Sequence, residues 1–277
     1  MIVVVQLILF VLGLYLLAKF ANRYLFKEYR EQNIIKNSGI SRAQWDEAYH
    51  HLPLLRGLSA EEKQSLEELC ILFMHNKEFE GAQGFQVTQH VMLIIALQAC
   101  LPILRLGLSC YDNFSTIIVY PEGFVTNRSQ MDENGVVDHD KTHTLGEAWY
   151  RGPVILSWHD AKEGGVEDGN NLVIHEFAHK LDMQNGVANG FPPLHKDMNS
   201  SDWVREFTNA YDYFTCHCKS DQLHGFDCYG ATDPAEFFSV FSEMFFEKPA
   251  KVRKHFPEVH NLLELYYRQT PISRLKG

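Results

Sequence analysis

The longest uncharged apolar stretch of the chain lies at its N-terminus. No charged residue occurs from Ile2 to Ala18, and a helix of this length spans about the hydrocarbon thickness of a bilayer. Lys19 and Arg23 follow the stretch, so the positive-inside rule predicts a single transmembrane helix at residues 1–20 with its C-terminal side in the cytoplasm. The alternative is a buried core helix, because the stretch is at the short end of the spanning range.

The next part of the chain shows helical patterns after a predicted juxtamembrane linker at 21–44. Ser59 and Glu62 have the spacing of a capping box and precede apolar positions at helical intervals, which predicts a helix at about 60–76. A second apolar segment predicts a helix at 90–106. This segment contains Gln98 and is too short to cross a membrane.

Two β-rich segments follow, Thr116–Tyr120 and Val154–Trp158, each bounded by Gly, Pro or Asp. We expect residues 126–150 to form an exposed loop or hairpin. The order of helices, strands and helices predicts an α+β architecture rather than alternating βαβ units. We therefore expect a helical N-terminal subdomain at 45–108 and a second domain at 109–277.

Composition and charge narrow the function. The 277 residues include 35 Asp and Glu against 25 Lys and Arg, which gives a net charge of −10 and argues against nucleic acid as a partner. Six cysteines are too few for a disulfide framework in a chain of this length, so reduced thiols are expected.

The sequence His175-Glu-Phe-Ala-His179 matches the pattern His-Glu-x-x-His. On a helix both imidazoles lie on one face and can reach a single metal ion, while Glu176 lies about 100° round and can touch a metal-bound water. Asn171 precedes an apolar helical segment and can cap it, so the motif falls inside a helix. The alternative is that both histidines are solvated polar groups.

A catalytic zinc site needs a third protein ligand. The extended His-rich motif fails here, because Asp182 and Asn185 stand where it requires Gly and His. Asp182 could instead orient a histidine ligand, or it could be solvated at the end of the helix.

A later helix offers carboxylates for the third position. It is predicted to begin with Asp233 as N-cap and Pro234 at the first helical position. Glu236 could be the ligand, or it could complete a capping box with Asp233. Glu243 and Glu247 share its face and are rival ligands or supporting groups. Spacing alone favours Glu236 over Glu243 only slightly.

A rival metal cluster contains Cys216-His217-Cys218 with His224 and Cys228, although this spacing is not that of a standard structural zinc site. The adjacent His50 and His51 have no partner that the sequence reveals, so we interpret them as surface groups.

Three long segments that contain these residues resemble the Mlc titration factor A (MtfA) family of zinc-dependent peptidases. They are Val173–Asp182, Asn185–Gly190 and Tyr229–Glu247. The likeness continues through Gln98–Pro102, Val119–Pro121 and Gly152–Trp158 and covers roughly residues 45–275.

The resemblance implies a zincin-like catalytic domain at 109–277 and a Zn²⁺ cofactor. In this family, and in the similar catalytic domain of anthrax lethal factor, the third zinc ligand is a Glu seven residues after a functional Tyr. These residues correspond to Glu236 and Tyr229, so the resemblance implies that the metal ligands are His175, His179 and Glu236.

The leading hypothesis is a membrane-anchored zinc peptidase that hydrolyses peptide bonds, in which Glu176 activates a zinc-bound water and Tyr229 stabilises the oxyanion. Val154–Trp158 could hold an extended peptide at a sheet edge. The resemblance also implies aminopeptidase-type activity and a bacterial source. Together with the predicted N-terminal helix, a bacterial source predicts a location in the inner membrane with the catalytic domain in the cytoplasm. The second hypothesis is a regulatory protein that sequesters the Mlc repressor without hydrolysis.

Overall fold

The computed structural model describes residues 6, 9–15, 19, 26–122 and 152–276. They belong to two compact units, 1–40 and 41–277. In the first unit, residues 9–15 are helical and helix α1 is Lys27–Lys36. The loop or hairpin predicted at 126–150 lies outside the described residues.

The structure does not support the transmembrane helix predicted at residues 1–20. None of the helices described has both the length and the hydropathy needed to cross a bilayer. Within the apolar stretch, the structure describes residues 6 and 9–15, and they are helical. The rest of the apolar stretch lies largely outside the described residues, and the location inferred for the rest of the chain stays a prediction.

The second unit is built mainly from helices. They are α2 (Arg42–His51), α3 (Ala60–Asn76), α4 (Gln89–Cys100), α5 (Trp158–Glu163), α6 (Leu172–Asp182), α7 (Ser200–His217), α8 (Pro234–Glu247), α9 (Pro249–His255) and α10 (Pro257–Tyr267).

A small parallel sheet completes the unit. Its strands β1 (Glu78–Gly81), β2 (Thr116–Tyr120) and β3 (Val154–Ser157) lie in the order β1-β2-β3. Strand β2 was predicted with these bounds, and β3 ends one residue earlier than predicted because Trp158 begins α5. Within the described residues, three strands of four or five residues are a minor part beside the helices, so the α+β class is wrong and the described fold is mostly helical.

Local sequence signals explain where the helices begin and end. The capping box of Ser59 and Glu62 is present, and α3 has the bounds predicted for it. Helix α4 begins after Thr88, whose side chain accepts a hydrogen bond from the Val91 N–H. It ends at Cys100 rather than at 106, because Pro102 has no backbone N–H with which to continue the hydrogen-bond ladder of the helix.

Aromatic side chains form the core around α6 and α8, which pack against each other. Phe177 on α6 is fully buried and its ring lies 5.6 Å from that of Phe73 and 5.0 Å from that of Tyr111. On α8, Phe237 and Phe241 are buried, with ring centroids 4.0 Å apart. The two helices that carry the predicted ligands are thus anchored in the core.

Candidate metal centre

Helix α6 presents the two histidines of the motif on one face. The Asn171 side chain caps the helix by accepting a hydrogen bond from the Ile174 N–H at 2.9 Å, as the sequence predicted. His175 is 3% exposed and His179 is half-buried. Their rings are 4.8 Å apart, and the two Nε2 atoms are separated by 3.2 Å. Both ring nitrogens therefore face the same point.

Helix α8 brings a carboxylate to that point. Asp233 is its N-cap and Pro234 its first residue, as predicted, and the Asp233 side chain accepts hydrogen bonds from the N–H groups of Ala235 and Glu236. The Glu236 side chain turns to the histidines instead of completing a capping box. Its Oε2 lies 2.9 Å from His175 Nε2 and 3.3 Å from His179 Nε2.

These three atoms fit a tetrahedral metal ion. Zinc with ligands at about 2.05 Å holds neighbouring ligand atoms about 3.3 Å apart, and the three separations here are 2.9, 3.2 and 3.3 Å. Glu236 Oε2 is buried, yet no donor in the described chain makes a well-directed hydrogen bond to it. Burial raises the pKa of Glu236, but the two imidazoles more than offset this and hold it well below its usual range.

Glu243 lies behind the His175 ring. Its Oε1 is 2.6 Å from His175 Nδ1, and its Oε2 accepts a hydrogen bond from the Asn171 N–H. This carboxylate fixes the ring so that Nε2 faces Glu236, an arrangement typical of histidine ligands of metals. Burial lowers the pKa of His175, but Glu243 and Glu236 outweigh it and raise this pKa to about 10.

Glu247, one turn further along α8, holds the loop that leads into α6. Its Oε1 accepts hydrogen bonds from the Gly165 N–H at 2.8 Å and from Asn171 Nδ2 at 3.0 Å, and its Oε2 accepts one from the Gly169 N–H at 2.9 Å. Burial raises its pKa to about 7, although these hydrogen bonds act in the opposite direction. The sequence left the roles of Glu243 and Glu247 open. In the structure Glu243 contacts the His175 ring, whereas Glu247 binds backbone N–H groups of the loop before α6.

Asp182 holds the loop that follows α6. It is fully buried, and its Oδ2 accepts hydrogen bonds of 2.7 Å from the N–H groups of Asn189 and Gly190. Burial raises its pKa to about 6 against these hydrogen bonds. The sequence suggested a partner of His179 or a solvated helix end, whereas the carboxylate binds loop backbone. At Gly190 that loop passes so close to Pro234 that a Cβ would lie 2.4 Å from its carbonyl oxygen.

Tyr229 lies beside the three ligand atoms, and Glu176 is a neighbour of His175 on α6. The Tyr229 hydroxyl donates a hydrogen bond of 3.0 Å to Glu236 Oε1, and its N–H donates one to the Asp227 side chain. Glu176 is half-buried on α6, next to His175 in sequence. A cleft lined by His175 and Tyr229 opens here, and its wall carries the acidic side chains of Asp160, Glu163, Asp168 and Asp227.

The cysteine-rich cluster does not gather into a metal site. Cys216 is exposed, and His217 Nδ1 lies 2.8 Å from the Tyr213 carbonyl oxygen. In the part of the chain that the structure describes, only two groups of three or more potential ligands converge, His175/His179/Glu236 and Glu47/His51/His90. The second group was not predicted from the sequence, although Glu47 and His51 have the i, i+4 spacing that could have indicated it.

Comparison with known proteins identifies the family. Residues 26–268 match the family model described as glucose-regulated metallo-peptidase M90. The chain belongs to this family. It is similar to Mlc titration factor A of Cronobacter sakazakii (strain ATCC BAA-894), with 36% identity over 232 residues, 83% of this chain and 88% of that protein. Mlc titration factor A of Yersinia pestis (strain Pestoides F) is 35% identical over 237 residues, 84% of this chain and 87% of that protein.

The M90 match confirms the resemblance stated from the sequence and makes this a metallopeptidase-type domain. A metal, usually zinc, is implied by such a family, and the residues His175, His179 and Glu236 fit one.

Proposed function

We propose that this M90-family protein is a zinc peptidase that hydrolyses peptide bonds at the site formed by α6 and α8. The observation that carries the proposal is the convergence of two imidazole nitrogens and one carboxylate oxygen within 3.3 Å of one another. His175, His179 and Glu236 would hold the ion, and Glu243 would keep the His175 ring in place.

The proposed mechanism assigns proton transfer to Glu176. When bound, zinc supplies a Lewis acid that polarises the peptide carbonyl and lowers the pKa of water. Glu176 takes a proton from the attacking water and returns it to the leaving amine, as its position on α6 beside His175 allows.

Tyr229 is proposed to donate a hydrogen bond to the oxyanion that develops on the carbonyl oxygen. Its hydroxyl already lies 3.0 Å from Glu236 Oε1 and therefore close to the proposed ligands. Removal of one such donor costs roughly 10²–10³ in kcat in enzymes where this was measured. Tyr229→Phe should thus lower kcat while zinc stays bound.

The acidic wall of the cleft supports the aminopeptidase type of activity. Asp160, Glu163, Asp168 and Asp227 line the space next to His175. Their combined charge favours the positively charged α-amino group of a peptide's first residue over an interior segment. Peptides with a blocked N-terminus should therefore be cleaved more slowly than free ones.

The decisive experiment compares the full chain with Glu176→Gln and Glu236→Gln for bound zinc and for cleavage of a panel of free and N-acetylated peptides. We expect Glu176→Gln to keep zinc and lose cleavage, and Glu236→Gln to lose both. Cleavage by Glu176→Gln at the wild-type rate would refute the proposed base. Zinc retention at wild-type affinity by Glu236→Gln would refute the ligand set.

A second candidate function is binding of a transcriptional repressor. It is favoured by the name Mlc titration factor A, which the relatives carry. If binding alone is the function, Glu176→Gln should bind purified Mlc repressor as tightly as the wild type does. A direct binding measurement with both proteins tests this, and failure of the wild type to bind would remove this candidate.

A further inference from the structure

A second cluster of potential metal ligands lies between α2 and α4. Glu47 and His51 are four residues apart on α2, and His90 is the second residue of α4. His90 Nδ1 is 3.8 Å from Glu47 Oε1, and the rings of His51 and His90 are 5.3 Å apart at an angle of 73°. One ligand atom from each residue lies within 4.8 Å of the other two.

From this geometry we infer that Glu47, His51 and His90 form a second divalent-metal site, separate from the site between α6 and α8. Two imidazoles and one carboxylate suit Zn²⁺, Ni²⁺ and Cu²⁺. The same set is unsuited to Mg²⁺ or Ca²⁺, which prefer oxygen ligands throughout.

The side chains can close around an ion without movement of the helices. A tetrahedral zinc ion needs ligand atoms about 3.3 Å apart. The three ligand atoms lie within 4.8 Å of one another, so no separation in the cluster must shrink by more than about 1.5 Å. The side chains of Glu47 and His90 are 63% and 36% exposed, and His51 is exposed as well. Changes of side-chain rotamer can therefore supply this movement.

The backbone that carries the cluster is held in place. Gln44 lies one turn before Glu47 and Gln89 is adjacent to His90. Gln44 Nε2 donates a hydrogen bond of 2.6 Å to Gln89 Oε1 and so joins the beginnings of α2 and α4. The His90 ring also packs edge-on against Trp158, with 6.5 Å between ring centroids. One side of the site is thus positioned before a metal ion binds.

A metal ion at this position would cross-link α2 to α4. Because such an ion binds the folded chain and not the separated helices, its binding adds to the stability of the fold. His51 and His90 are not part of α6 or α8, so occupation of this site does not use a residue of the proposed peptidase centre.

The test is a zinc titration by equilibrium dialysis on the full chain after removal of metal with a chelator. It compares the wild type with His51→Ala, His90→Ala and His50→Ala. His50 is the matched control, because it is an exposed histidine adjacent to His51 and outside the cluster. Unchanged circular dichroism verifies that each variant is folded.

We expect His51→Ala and His90→Ala each to bind one equivalent of zinc fewer than the wild type, and His50→Ala to bind as much as the wild type. Cleavage measured with one equivalent of zinc should not change in any of the three variants. Equal stoichiometry and affinity in all four proteins would overturn the inference. A loss in His50→Ala equal to that in His51→Ala would overturn it as well, because binding would then be nonspecific.

Discussion

Replacement of Glu243 by Gln tests how much of the metal affinity depends on the orientation of one imidazole ring. In the wild type, the two carboxylate oxygens serve two donors, His175 Nδ1–H at 2.6 Å and the Asn171 N–H. Gln has one acceptor oxygen at this position, so its amide NH₂ must face one of the two donors. The variant therefore loses one hydrogen bond to an ionised group whichever way the amide turns.

The size of the effect follows from these contacts. A hydrogen bond to a charged group contributes about 1.5–3 kcal/mol, and about 1.4 kcal/mol corresponds to a tenfold change in an equilibrium constant. We therefore expect zinc affinity to fall about 10- to 100-fold, in the range found when carboxylates behind histidine ligands are removed. The affinity is measured by competition with a chelator of known zinc affinity.

Glu247→Gln is the matched control for this experiment. Glu247 is buried on the same face of α8 but binds the loop at Gly165 and Gly169, not a histidine ring. Its replacement should leave zinc affinity within about threefold of the wild type. If Glu243→Gln binds zinc as tightly as the wild type, or if both variants weaken it equally, Glu243 does not act through His175.

Three further predictions concern stability. Phe177→Ala removes a fully buried ring from α6 and should lower the free energy of unfolding by about 3–5 kcal/mol. Thermal unfolding should show this as a Tm lower by about 10 °C. A shift in Tm below about 2 °C would contradict the packing described. Gly190→Ala places a Cβ against Pro234, so it should destabilise the fold more than Gly186→Ala. At Gly186 φ is also positive, but no atom lies within 4 Å of an added Cβ. Urea unfolding of both variants measures the difference, and equal losses of unfolding free energy would refute the close approach. Glu247 has a pKa of about 7 when folded, above the ordinary 4.5, so its ionisation opposes folding as pH rises from about 4.5 to 7. The stability of Glu247→Gln relative to wild type should therefore rise by up to about 3 kcal/mol over this range, and a pH-independent difference between their urea unfolding curves would show the carboxylate to be unperturbed.

The starts of α3 and α8 could be predicted from sequence because their signals are local. Ser59 with Glu62, and Asp233 before Pro234, satisfy backbone N–H groups within three residues, so no distant contact was needed to place them. Strand β1 was missed because its sequence, Glu-Phe-Glu-Gly, is short and half of its residues are charged. It forms through pairing with β2, which lies more than thirty residues away.

The choice between Glu236 and Glu243 could not be made from spacing. Both residues lie on one face of α8, seven residues apart. In the structure Glu236 contacts the Nε2 side of His175 and Glu243 contacts the Nδ1 side. That depends on how far α8 is displaced along α6, which is set by tertiary packing. The surface cluster with His90 was missed for the same reason, because its members come from two helices.

Helix α8 carries Glu236, Glu243 and Glu247 on the same rigid rod whose phenylalanines fill the core. The backbone of the candidate centre therefore cannot loosen as a separate part, because movement of α8 away from α6 would break its aromatic contacts in the core. On heating, metal release and global unfolding should coincide in a single transition. Insertion or deletion of one residue in α8 should not be tolerated, because it would rotate the later carboxylates about 100° away from their partners.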